Sequence, residues 1–338
     1  MTKLLKESEI FVGAQIIKSG GTVAFRTETV YGLGADATSD LAVQKIFDAK
    51  SRPAVNPLII HFYGIAHLIQ YFPHVDQIVQ DVFKKVKYGI TVILPKPENF
   101  RIANRALGGL DTVAVRIPNC GFSKKFIQAC GVPIAAPSAN ISTRPSSTRW
   151  QDVYDDLNKR VNAIFMGKPA EQGIESTVIK LNKLPNGEYE IGILRQGAVS
   201  QARLEKLLGY RTYIVEDKKE KESSPGTRFK HYSPSIPVYV SSCVRATSEF
   251  VKDKNVIILC LNSSRGKYTS KTILLGNTIT SVKASFFAKL RQAEKEIITN
   301  RKRGNTGQEA IIIEELPNRP EFDSIKERIS KASEGRVL

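Results

Sequence analysis

"FRTETVYGLG", residues 25–34, decides how the first half of the chain is read. It closes the run "GGTVAF" (20–25), where a glycine pair followed by β-branched and aromatic residues predicts a turn and a short strand. Beyond Phe25 the composition changes abruptly. Thr27, Thr29 and Tyr31 offer hydroxyls, and Gly32 and Gly34 let a backbone or a ligand come close, so the stretch reads as a polar loop at a strand end that binds a small zwitterion or a phosphate. A decorated tight turn is the plainer alternative.

The surroundings of that loop alternate between helix and strand. Apolar residues recur at helical spacing from Glu9 to Ile17, and Ser39 or Asp40 is placed to cap a helix through "LAVQKIFDAK" (41–50). "PLIIHF" (57–62), "GITVILP", "DTVAVRI", "VPIAAP", "STVIKL" and "YEIGILR" read as strands, with helices expected at 76–87, 123–130 and 201–208. Short apolar runs joined by irregular polar loops predict an α/β domain with a twisted mixed sheet. From Tyr213 the chain turns to "VEDKKEKESSPGTRFKHYSPSIPV", charged and then rich in Ser and Pro, which reads as a linker. Strand-like "VYV", "NVIILCL", "KTILL" and "AIIIEEL" with two helical stretches then predict a smaller, Rossmann-like α/β unit. The expected division is a catalytic domain at 1–210, a linker and lid at 211–237, and a C-terminal domain at 238–338.

Composition narrows the function classes. The chain has 338 residues, 41% of them hydrophobic and 25% charged, which suits a globular protein of more than one domain. Its net charge of +17 favours anionic partners without choosing among nucleic acid, nucleotide phosphate and lipid. Cys120, Cys130, Cys243 and Cys260 form no CxxC pair and have no histidine at ligand spacing, which argues against zinc and iron–sulfur sites. With no apolar run of membrane-spanning length and charges early in "MTKLLKESEIFVGAQ", neither a membrane anchor nor a secretory signal is expected, and the cytoplasm is the simplest location.

Five polar clusters sit at strand ends, where the loops of open α/β sheets line a ligand crevice. Besides the opening loop, "KSRPAVNPLIIH" (50–61) places Lys50, Arg52, Asn56 and His61 around a proline-stiffened turn. In "TVAVRIP" (112–118), Arg116 shares a strand face with Thr112 and needs an anionic partner, an internal carboxylate or a ligand's. "APSANISTRPSST" (136–148) carries Ser138, Asn140, Ser142, Ser146 and Thr148, a loop suited to phosphate or ribose. "GIESTVI" (173–179) and "LRQG" (194–197) add Ser176 and Arg195.

"TETVYGLGADA", "KSRPAVNPLIIH", "TVAVRIP", "APSANIS", "GIESTVI" and "LRQG" together resemble, in order and spacing, the YrdC-like domain. "PGTRFKHYSP" (225–234) and the C-terminal unit resemble the two-domain form of the L-threonylcarbamoyladenylate synthase family. Departures are Arg26 at a usual proline, "KYGIT" for a "PGPLT"-like run, "STRPSST" for "SGxxSPT", and "LRQG" for "LRPG".

The resemblance implies a nucleotidyltransferase that makes threonylcarbamoyl-AMP and diphosphate from L-threonine, bicarbonate and ATP. Its product would feed the machinery that modifies adenosine 37 of tRNA. Carried over by position, it implies threonine contacts at Thr29, Tyr31, His61, Arg116 and Ser176. ATP contacts are implied at Lys50, Arg52, Asn56, Thr112, Ser138, Asn140, Ser146, Arg195 and His231, with Lys50, Arg52 and Arg195 as the catalytic cations. Magnesium is expected to arrive on the triphosphate, with no dedicated protein ligands. Two other readings are an RNA-binding protein of the same fold, which the net charge would suit and which leaves weak RNA binding open, and an interaction protein with a decayed site.

Overall fold

The computed structural model describes every residue except 222, 223, 226–231, 253, 305 and 306. Among the described residues, eleven strands make one mixed sheet. Their spatial order is Lys3–Leu5, Ala163–Phe165, Val23–Arg26, Tyr31–Asp36, Ile134–Ala135, Ile59–His61, Thr112–Arg116, Ile90–Pro95, Thr177–Lys183, Tyr189–Arg195 and Thr212–Ile214. Parallel and antiparallel pairings alternate through its middle: Ile59–His61 runs parallel to Thr112–Arg116, with His61 beside Arg116, and antiparallel to Ile134–Ala135.

Side-chain alternation feeds two apolar layers. Ala24, Leu33 and Ile60 join helices Asp40–Lys50, Gln77–Lys85 and Gln201–Leu208 in one. Val23, Phe25 and Ile134 join helices Ile10–Lys18 and Gly121–Cys130 in the other. Ser39 caps the helix at 40–50 by accepting from Ala42 N.

The "FRTETVYGLG" segment differs from its reading as a loop. Only residues 27–30 turn, and Tyr31–Asp36 returns as a strand antiparallel to Val23–Arg26. Gly34 serves packing here: a Cβ on it would lie 2.7 Å from Ile134 Cγ2 and 2.8 Å from the Phe25 ring, whereas Gly32 lines the cavity described below. Arg26, at the family's usual proline, gives its Nε–H to Glu7 at 3.0 Å. Within the stretch read as linker, Thr212–Ile214 pairs parallel with Tyr189–Arg195 and extends the first sheet.

The second unit has four parallel strands in the order Val238–Ser241, Glu309–Glu314, Asn255–Cys260 and Thr272–Leu274 among the described residues, packed against helices Ile279–Lys302 and Asp323–Ser333. Polar groups knit it to the first. Arg291 Nη2 on the long helix reaches Asp156 Oδ2 at 2.7 Å, and Arg144 bridges Asp156 at 3.0 Å and Glu294 at 2.8 Å. Glu294 also accepts from the amide and hydroxyl of Ser235. The backbones meet closely at Gly173, where a Cβ would stand 2.4 Å from the Lys283 carbonyl oxygen. No helix of the described residues is long and apolar enough to cross a membrane.

His67 tests the packing of the first unit. Its ring stacks on Tyr63 at 4.4 Å between centroids, stands edge-on to Phe62 and Tyr71, and is held by burial at about 4. An unfolded histidine takes a proton below about 6.5 while the folded one does not until about 4, so falling pH in that window favours the unfolded chain by about 1.4 kcal/mol per unit. In urea melts from pH 7 to 4.5, His67→Phe is expected to flatten this part of the acid decline.

Candidate active site

The strand-end loops converge on one cavity. It is lined by Tyr31 from the returning strand, Arg52 from the turn after the helix at 40–50, His61 and Arg116 from adjacent parallel strands, Ser138 from the serine loop, and Ser176 and Arg195 from the neighbouring antiparallel pair. Pro225 and Tyr232 of the segment between the two units line it as well.

One wall is built around Arg116. Its side chain is 4% exposed and its Nη2 donates to Glu28 Oε1 and Thr29 Oγ1, both at 2.7 Å. The internal carboxylate left open by the sequence is therefore Glu28, itself buried, while Arg116 Nε and Glu28 Oε2 have no hydrogen-bond partner among the described residues. Thr29 does not line the cavity, but its hydroxyl helps to fix the guanidinium that does. His61 must donate its Nδ1–H to the Ile59 carbonyl, 3.1 Å away, because a carbonyl only accepts. Burial and the charge of Arg116 push its pKa down to about 3, so the ring is neutral at physiological pH. The Tyr31 hydroxyl donates to the Lys168 carbonyl at 3.0 Å, and burial raises its pKa.

The cavity lining carries two further guanidiniums, Arg195 buried and Arg52 half-buried. Arg52 gives Nε–H to the Asn56 carbonyl at 3.2 Å and Nη2–H to the Pro57 carbonyl at 2.8 Å. Arg195 bonds the Ser176 carbonyl through Nε and Nη2, and gives Nη1–H to the Pro225 carbonyl at 2.8 Å. Burial lowers both pKa values, and the charge of Arg195 helps bring Arg52 to about 9. The Ser176 hydroxyl lies 2.7 Å from Thr91 Oγ1 and 3.2 Å from Arg195 Nη2.

Several expected contacts stand one layer back from the cavity. Lys50, 1% exposed, donates Nζ to the carbonyls of Ser138 and Asn140, so its ammonium ties down the serine loop, and burial drives its pKa well below the usual lysine range. Asn140 gives its amide to the Ile141 and Arg144 carbonyls within that loop. Ser146 donates to Glu175, which lines the cavity. Asn56 offers its carbonyl to Arg52. Thr112 opens the strand that Arg116 closes, four residues or about 13 Å away at strand rise, and is not on the wall. His231 lies outside the described residues. Glu28 and Glu175 were not singled out in the sequence; the need of a buried Arg116 for a carboxylate was the signal for the first, and its place in "GIESTVI" the signal for the second.

The family model described as telomere recombination, Sua5/YciO/YrdC, matches residues 15–197, and that of the threonylcarbamoyl-AMP synthase C-terminal domain matches 199–334. The chain belongs to the two-domain Sua5 family. Threonylcarbamoyl-AMP synthase of Pyrococcus abyssi is 32% identical over 99% of this chain and 96% of its own length, and that of Bacillus subtilis 31% identical over 98% and 95%. The crystal structure of P. abyssi Sua5 complexed with L-threonine superposes with a TM-score of 0.83 at 31% identity, covering 100% of this chain and 99% of that one. The named Sua5 relatives are synthases of the nucleotidyltransferase type, and the chain is an enzyme of that class.

Gly197, the last residue of "LRQG", lies against the backbone of Glu175 and Ser176, which line the cavity. A Cβ there would stand 2.5 Å from the carbonyl oxygens of Glu175 and Ser176, a backbone collision that no rotamer change relieves. Gly197→Ala is expected to cost about 1–3 kcal/mol, read as a lowered thermal midpoint.

Proposed function

We propose that the chain condenses L-threonine, bicarbonate and ATP to threonylcarbamoyl-AMP and diphosphate, and that the product is passed to the machinery that modifies adenosine 37 of tRNA. The observation that supports this reading most is the cavity that Arg116 shares with the hydroxyls of Tyr31, Ser138 and Ser176 and with two further guanidiniums, Arg52 and Arg195. Threonine sits against Arg116, with its carboxylate toward the guanidinium that Thr29 holds and with Tyr31, His61 and Ser176 around it. Its neutral amine attacks the bicarbonate carbon: the C–N bond forms, a C–O bond breaks, and the hydroxyl leaves with an amine proton as water, giving the N-carboxylate.

One carboxylate oxygen then attacks the α-phosphorus of ATP. An O–P bond forms, the bond to the bridging oxygen of diphosphate breaks, and the leaving group carries the electron pair away. Such a displacement needs no protein nucleophile; positioning and fixed positive charge lower its barrier. Arg52 and Arg195 supply that charge at the wall. They are already desolvated, so they gain most when phosphate oxygens replace weaker carbonyl partners. Ser138 meets the nucleotide at the wall, while Lys50, Asn140 and Ser146 act from behind by holding the serine loop and Glu175, and Asn56 by holding Arg52.

Magnesium comes in with the triphosphate. Among the described residues no group of three or more His, Cys, Asp or Glu is placed to hold a metal ion, and Glu175 on the wall is engaged by Ser146. Phosphate oxygens and water would fill its coordination.

Radiolabelled diphosphate exchange into ATP tests the reading. Exchange is expected with threonine and bicarbonate together and to disappear when either is omitted; exchange independent of both overturns it. Arg116→Met is expected to raise KM for threonine about 10- to 100-fold and Arg195→Met to raise KM for ATP by a similar factor, the loss of a charge-assisted hydrogen bond of about 1.5–3 kcal/mol.

A further inference from the structure

Arg328, on the last helix (Asp323–Ser333), is 0% exposed and heads the fully buried side chains by volume. It belongs to the C-terminal unit, yet it reaches across to the catalytic unit. Its Nε lies 3.4 Å from Glu175 Oε2, and its Nη1 donates to Glu327 Oε2 at 2.9 Å and the Ser324 carbonyl at 3.3 Å. The guanidinium carbon stands 5.5 Å from the centroid of the Tyr232 ring, which lines the cavity. Burial opposes its charge, but Tyr232, Glu327 and Glu175 outweigh that and hold its pKa above the ordinary range.

Glu175 is where three segments meet. Its Oε1 accepts from Ser146 of the serine loop, its Oε2 faces Arg328, and its carbonyl accepts from Ala198 N at 2.9 Å, just past "LRQG". The next residue, Ser176, carries the carbonyl that Arg195 grips. Two residues earlier, Gly173 is pressed against the backbone of the long C-terminal helix, and Ile174 packs into the C-terminal core. A buried guanidinium costs several kcal/mol to desolvate, and apolar side chains of similar volume would hold the seam at least as well. Unlike them, an arginine fixes the direction of a carboxylate.

We propose that Arg328 is a positioning residue for the nucleotide wall: it orients Glu175, and through it Ser146 and the 175–176 segment, so that the C-terminal unit completes the ATP site. The proposal rests on the cavity being an ATP site, as in the function proposed above.

The test uses the full chain as wild type, Arg328→Met, Arg328→Lys, Glu175→Gln and the double variant Arg328→Met/Glu175→Gln. KM for ATP and for threonine are measured in threonylcarbamoyl-AMP synthesis, the Kd of a non-hydrolysable ATP analogue by calorimetry, and thermal midpoints alongside. Arg328→Met is expected to raise KM for ATP and the analogue Kd about tenfold, equivalent to about 1.4 kcal/mol, with KM for threonine within about twofold. Arg328→Lys recovers part of the loss, and the double variant is no worse than the worse single one, because both act through one contact. A lower midpoint with unchanged KM for ATP and unchanged analogue Kd overturns the proposal, as do equal rises in both KM values or additive losses. If Arg328→Met fails to fold, Glu175→Gln and Arg328→Lys, which nearly conserve volume, decide the question. A wild type that binds the analogue but makes no threonylcarbamoyl-AMP refutes the proposed function alone, and the analogue Kd values still judge Arg328. A wild type that does not bind the analogue refutes both.

Discussion

Positive charge kept out of water governs this molecule. Four cationic side chains, Lys50, Arg116, Arg195 and Arg328, are buried in or around the cavity and a fifth, Arg52, is half-buried on its wall, and each must recover the hydration it has lost. Arg116 and Arg328 do so against carboxylates, Glu28 for one and Glu175 with Glu327 for the other. Lys50 does so against two carbonyls of the serine loop. For Arg52 and Arg195 the hydrogen bonds described are to carbonyl and hydroxyl oxygens, and burial has lowered both pKa values. Among the described residues these two guanidiniums hydrogen-bond to dipoles and to no carboxylate, and both line the cavity where an anion gains most.

This arrangement explains why the fold is mixed. Placing His61 beside Arg116 takes two parallel neighbours, and bringing Ser176 next to Arg195 takes an antiparallel pair with an irregularity at Ile193/Arg195. A uniformly parallel sheet would deliver its loops to one end only, whereas here a hairpin turn, two strand ends and the serine loop enclose the cleft from different directions.

Much of this was legible in the chain. The long apolar strands and the amphipathic helices follow their periods, and the strand-end rule led to Arg116, His61, Ser176 and Arg195, which do share one cavity. Tyr31–Asp36 was not legible as a strand, because Gly32 and Gly34 look like turn residues until Phe25 is seen lying against them. Lys3–Leu5 and Ala163–Phe165 are three residues each, too short to show a period. The direction of Lys50 was hidden for another reason: a lysine at the end of a helix says nothing about which distant carbonyls it will meet, and these lie 88 and 90 residues away. Arg328 was equally silent, one of three cations, with Lys326 and Lys331, in an ordinary amphipathic helix.

The contact at Gly173 has an evolutionary consequence. With no room for a methyl group between that residue and the carbonyl of Lys283, and with Asp156 bonded to both Arg144 and Arg291, neither unit can drift in sequence at this seam without the other answering. Paired substitutions between 141–176 and the helices at 279–302 and 323–333 should therefore appear together across descendants, and a C-terminal half grafted from a distant lineage would bring mismatched partners to the join.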